Sequence, residues 1–118
     1  MSWWRRYLDW RIRQATRLEQ SASGCVVRQG AEFIELDWSE VTRATAFKRD
    51  LLTVDLICIA FETETRLVEI NEEMPGYLLV EQAMEQAFDL APEWKLVVMF
   101  PPFETKPTLI YERVSLAA

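Results

Sequence analysis

Residues 46–62, AFKRDLLTVDLICIAFE, set a charged cluster, Lys48, Arg49 and Asp50, between two apolar runs. In the second run Val54, Leu56, Cys58 and Ala60 fall on one face of a strand, and Ile57, Ile59 and Phe61 on the other. Both faces are apolar, which predicts a central strand covered on both sides. With Lys48 ending one strand and Val54 opening the next, the five residues between them suit a hairpin loop. The charges, with Asp55, then stand at one end of the sheet as a solvated rim. Exposed pairs there contribute at most ~1 kcal/mol. Lys48, Arg49 and Asp50 therefore read as partner contacts. A catalytic Lys or Asp needs a pocket that shifts its pKa, and nothing in the sequence marks one.

Working outward, further strands are expected over 25–29 (CVVRQ), 31–38 (AEFIELDW), 41–48, 66–71 (RLVEIN) and 108–114 (TLIYERV). Alternation is clearest where Ile34, Leu36 and Trp38 interleave with Glu35 and Asp37. In the turn that follows, Asp37 and Ser39 suit hydrogen bonds to nearby backbone N–H groups. Pro75 and Gly76 break the chain before a helix over 77–90 (YLLVEQAMEQAFDL). There Tyr77, Val80, Met84, Ala87 and Phe88 share a face, with Glu81, Gln82, Glu85 and Asp89 outside. Pro92 suits the first turn of a short helix over 92–99, where a strand is the alternative. The result is a single domain over residues 1–118, of α+β class. It is an antiparallel β meander, barrel or sandwich, with an N-terminal amphipathic helix and a helix in the C-terminal half.

That N-terminal segment, residues 2–20, gathers Trp3, Trp4, Tyr7, Leu8, Trp10, Ile12, Ala15 and Leu18 in one apolar arc of a helical wheel. Arg5, Arg6, Asp9, Arg13 and Arg17 lie opposite, and Arg11 interrupts the apolar side. Three occupants suit the stripe: the uncovered side of the sheet, a second copy of the chain, or a membrane surface. Trp3, Trp4, Arg5, Arg6 and Trp10 are the contact residues in the last two cases. Packing on the sheet is the favoured reading, because the strand at 54–61 needs a cover.

Charge and composition narrow the function. The 118 residues include no His, which removes His-based triads and His-ligated metal sites. Five Arg against Asp9 and Glu19 give residues 1–20 a charge of +3. Eight bases against seventeen acids give the remainder −9. An acidic body argues against nucleic acid and suits a basic protein partner. Glu62, Glu64, Glu69, Glu72 and Glu73 crowd one hairpin without a metal-loop spacing, so neither metal nor cofactor is expected. Cys25 and Cys58 form no metal or redox pair, and no secretory signal is visible. A cytoplasmic location with reduced thiols is the expectation. In the loop at 100–107 (FPPFETKP), Phe100 and Phe103 either plug the end of the core or meet a partner.

The segment IELDWSEVTRATAFK, with Trp38, Ser39, Glu40 and Val41 between two strands, resembles bacterial pleckstrin-homology-like domains over residues 26–90. The N-terminal helix and the strand after the C-terminal helices are additions to that pattern. The basic phosphoinositide pocket is not evident, so lipid headgroup binding is not implied. FKRDLLTVDLICIAFE and PPFETKPTLIYER also resemble small bacterial proteins, some of which are similar to immunity proteins of toxin systems. The resulting expectation is a non-enzymatic protein-interaction domain, with an immunity-type inhibitor as its sharpest form. A peripheral membrane domain docked by the Trp/Arg segment is the alternative.

Overall fold

A computed structural model describes residues 16–51, 54–100 and 107–114. The expected contacts Trp3, Trp4, Arg5, Arg6, Trp10 and Phe103 lie outside the described residues. Within them, β1 (Thr16–Gln20), β2 (Gly24–Gln29) and β3 (Glu32–Asp37) form a three-stranded antiparallel sheet. A 3-10 turn, Trp38–Glu40, leads into β4 (Arg43–Leu51), β5 (Val54–Glu62) and β6 (Leu67–Asn71). Helices α1 (Tyr77–Phe88) and α2 (Trp94–Met99) then carry the chain across to β7 (Thr108–Glu112). The second sheet has the order β6-β5-β4-β7, with all its pairs antiparallel. The α+β content with antiparallel sheets is as the sequence implies.

Thr16–Gln20 is a strand and not the end of the expected helix. A segment with one apolar residue, Leu18, fits either period. Pairing decides it: Leu18 stands opposite Val27, and Glu19 binds Arg28 of β2 at 2.9 Å. The Leu18 N–H also donates to the Pro75 carbonyl at 2.8 Å, fastening β1 to the start of α1. Gly76 makes that approach possible. Its φ is 87°, and a Cβ would lie 2.0 Å from the Leu18 carbonyl oxygen. Gly24 plays the same part between β2 and β3, where a Cβ would meet the Leu36 carbonyl oxygen at 1.7 Å.

One apolar cluster joins both sheets and both helices. The inner face of the four-stranded sheet supplies Ala44, Ala46, Ile59, Phe61, Val68 and Ile70. Leu18, Cys25, Val27 and Leu36 face it from the three-stranded sheet, and Val80, Met84, Trp94 and Val98 from the helices. Ala44 and Ala46 are fully buried in this cluster, and α2 packs against β4. Leu56, Ile57, Cys58 and Ile59 are all buried, so β5 is covered on both faces as its pattern implies. On α1 two details differ from the expected face: Ala87 is exposed and Glu81 is buried.

The hairpin itself is tighter than expected. β4 runs on to Leu51, and Leu51 pairs with Val54, leaving two residues between the strands in place of five. Arg49 and Asp50 therefore lie within the ladder, opposite Leu56 and Asp55. Strand alternation then sends the neighbouring charges Lys48 and Arg49 to opposite faces.

Candidate functional site

The inner face of the second sheet changes character along its length. At one end Trp38 lies beside both Phe61 and Phe88, and Phe88 stacks on Tyr111 at 4.0 Å between ring centres. At the other end the same face carries Lys48, Asp55 and Ile57, and Glu72 follows β6 there. Lys95 and Met99 of α2 close this end into a pocket of about 330 Å³. A solvated rim was expected here, and the structure corrects that. The Lys48 side chain is 2% exposed.

Lys48 is held by groups distant in sequence. Its ammonium donates to the Met99 carbonyl at 2.9 Å and lies 3.5 Å from an Asp55 carboxylate oxygen. The first contact satisfies a carbonyl in the last turn of α2, which has no partner within its own helix. Lys48 thus fastens α2 to the sheet. Asp55 reaches it across the hairpin, two positions along from its direct partner Ile57. Asp50 holds a register position opposite Asp55; its side chain lies outside the described residues.

A second, part-buried ion pair adjoins the first. Both carboxylate oxygens of Glu81 accept from Lys95, at 3.2 and 3.0 Å. Trp94 donates from its indole N–H to Glu85 at 3.0 Å, so the α1 stripe of Glu81 and Glu85 aligns α2. The Lys95 ammonium lies 6.0 Å from the centre of the Tyr77 ring. The Tyr77 hydroxyl is buried and has no hydrogen-bond partner among the described residues. Burial pushes its pKa far above the ordinary phenol value, and the charge of the nearby Glu81 carboxylate adds to the effect. Glu72 accepts the Ile57 N–H at 3.0 Å with one oxygen, continuing the β5–β6 ladder through a side chain.

The other expected contacts separate. Arg49 is exposed on the outer face and forms a salt bridge with Glu69 at 2.7 Å. Glu62 pairs with Arg43 at 3.6 Å, and Glu73 is exposed. No group of acids able to hold a metal ion occurs among the described residues. Phe100 is 66% exposed, so it does not plug the core. Cys25 and Cys58 are free and buried, and burial pushes the Cys25 thiol up to about 11. No described helix is long and apolar enough to cross a membrane.

Sequence reasoning missed Tyr77, Glu81 and Lys95 as members of this site. The available signal was the spacing Tyr77, Glu81, Glu85, which lies on one helix stripe at i, i+4, i+8. Chemically, the pocket offers two engaged ammonium groups, Lys48 and Lys95, two carboxylates, Asp55 and Glu72, and the apolar Ile57 and Met99. That set recognises charge and has no nucleophile–base pair in the described geometry. Comparison with known proteins finds no family model, no curated protein and no solved structure that matches the chain.

Proposed function

We propose that the chain is a non-enzymatic interaction domain for a basic protein, of the immunity type that blocks its target. The observation that carries this reading is apolar exposure on the helical layer. Leu78 and Leu79 in α1, Leu96 and Val97 in α2, and Phe100 just beyond are each more than half exposed. Single exposed apolar residues are ordinary, and their recurrence on both helices is what supports an interface reading. A net charge of −6 favours encounter with a basic partner.

A pleckstrin-homology-like relationship belongs to the same proposal. Its support is the order of strand, Trp38-Ser39-Glu40 turn and strand, followed by a helix after the sheets. The turn is well defined, since the Asp37 carboxylate accepts from the Ser39 N–H at 2.9 Å and from its hydroxyl at 2.7 Å. A cytoplasmic setting is also part of the reading, supported by two buried thiols that are not joined.

Co-purification from the chain's own cells tests it, with wild type beside a Leu96→Glu/Val97→Glu variant. Both positions are exposed, so the variant keeps the fold. The expected result is a basic protein retained in stoichiometric amount by wild type, weakened by salt and lost from the variant. Equal recovery on both proteins overturns the reading. So does a wild type that only associates with itself.

A further inference from the structure

The N-terminal segment joins the described chain beside α1. β1 begins at Thr16, and two residues on, the Leu18 N–H bonds to the Pro75 carbonyl just before α1. α1 then packs on β1. Residues 1–15 therefore enter next to the first turn of α1. As a helix, those fifteen residues would extend about 22 Å at 1.5 Å per residue, against about 18 Å for the twelve residues of α1. The segment is long enough to follow α1 from end to end.

The face it meets there is complementary. Leu78 and Leu79 in the first turn of α1 are each more than half exposed, and Gln82 and Gln86 continue the exposed side. Glu73 before α1, Asp89 at its end and Glu93 beyond are exposed and form no ion pair among the described residues. Residues 71–94 hold six acids and no Lys or Arg. Residues 1–15 set Trp3, Trp4, Tyr7 and Trp10 on an apolar side and carry four Arg against Asp9. Charges act over about 8 Å at physiological salt, so arginines on the flanks of a docked helix still feel these acids. The outer face of the second sheet suits the segment less. Its exposed Leu67 and Leu109 stand on opposite edge strands, and Arg43 and Arg49 there already pair with Glu62, Glu112 and Glu69.

From entry point, apolar face and charge together, we infer that residues 1–15 fold back over α1 of the same chain. Their aromatic side covers Leu78 and Leu79, and their arginines lie toward Glu73, Asp89 and Glu93. The docked segment masks part of the helical layer, so that a basic partner must displace it. The masking rests on the interaction-domain reading; the docking does not. A nitroxide on Ser2→Cys in the full ¹⁵N-labelled chain tests the docking, because position 2 is the far end of the segment from Thr16. Cys25 and Cys58 are buried, so the label goes to the added thiol. The expected result is amide broadening at Gln82 and Gln86 that exceeds the broadening at Leu67 and Leu109. Leu78→Gln/Leu79→Gln, at two exposed positions, loses it, and so does Arg5→Gln/Arg6→Gln. Leu67→Gln, exposed on β6, keeps it.

Broadening strongest at Leu67 or Leu109 places the segment on the sheet and overturns the inference. So does an absence of broadening at α1, whether or not anionic vesicles then bind the segment. Equal broadening when a spin-labelled chain of natural isotope content is mixed with ¹⁵N chain lacking the label assigns the segment to a second copy, and overturns it as well. Masking has its own outcome in the capture experiment. Arg5→Gln/Arg6→Gln is expected to retain more basic partner than wild type, and equal recovery overturns the masking. Broadening at α1 with no partner captured keeps the docked segment and removes the interaction-domain reading. Capture without broadening does the reverse.

Discussion

The two ends of one sheet face do different work. At the Phe61 end, rings from a 3-10 turn, β5, α1 and β7 meet tilted, edge to face or stacked, and apolar burial holds four elements together. At the Lys48 end, the same strands present charge: one ion pair spans β4 and β5, the Lys48 ammonium binds the Met99 carbonyl of α2, and a second ion pair joins α2 to α1. Apolar packing is tolerant of partner and strong in sum. Buried ion pairs contribute little net stability but penalise any arrangement that separates them. The aromatic end therefore stabilises the fold, and the charged end positions α2 and leaves a pocket beneath it.

The sharpest way to break this contrast is a substitution at each end. Phe61 is fully buried, and Phe61→Ala is expected to cost about 3–5 kcal/mol in denaturant unfolding. A loss of ~1 kcal/mol or less would mean that the aromatic end is not the stabilising one.

At the other end, Lys48→Met keeps the volume and leaves Asp55 without its cation. The expected cost is about 2 kcal/mol, below the fully buried case because Asp55 is 20% exposed. Lys48→Met/Asp55→Leu, which removes both charges, is expected to recover at least half of it. No recovery in the double variant would contradict a paired site.

Alkaline titration separates the body from the charged end. The Cys25 thiol rises from 9.0 to about 11 on folding, so the folded state holds its proton longer than the unfolded state. Its contribution is complete below pH 9 and is lost between pH 9 and about 11, on the order of 2 kcal/mol. Tyr77, also raised, extends the loss above its ordinary value of 10.0. Unfolding free energy measured from pH 8 to 11 should fall in wild type and fall less in Cys25→Val. A flat profile in wild type would contradict the burial of both groups.

The smallest effect belongs to Tyr77→Phe. Removing a buried hydroxyl with no partner should leave stability unchanged or raise it by up to about 1 kcal/mol. A loss beyond ~1 kcal/mol would show that the hydroxyl is satisfied in solution, and would sharpen the description of the pocket.

The sequence carried the strands clearly where alternation was long. Both-face burial of β5 could be read from residues 54–61, because an apolar run of that length has few other homes. The turn at Asp37 and Ser39 was equally plain, since its chemistry is local. β1 was not legible, because TRLEQ has a single apolar residue and its strand state is fixed by pairing with β2. The burial of Lys48 was hidden for a related reason. Its partner carbonyl, on Met99, lies 51 residues away, and nothing near Lys48 announces it. Glu81 looked solvent-facing on a helical wheel for want of Lys95, which comes from the next helix. Local signals gave elements, whereas the site depends on contacts between elements.

The central claim is that the charged end is interior, with Lys48 locked under α2. Amine labelling with an acetyl N-hydroxysuccinimide ester, read by mass spectrometry of the native protein, tests it most directly. The Lys48 side chain is 2% exposed and the Lys95 side chain 35%, so their rates should diverge. Lys48 acetylation should run roughly tenfold or more slower than that of Lys95, limited by local opening. Lys48 reacting as fast as Lys95 would return the cluster to a solvated rim and contradict the account.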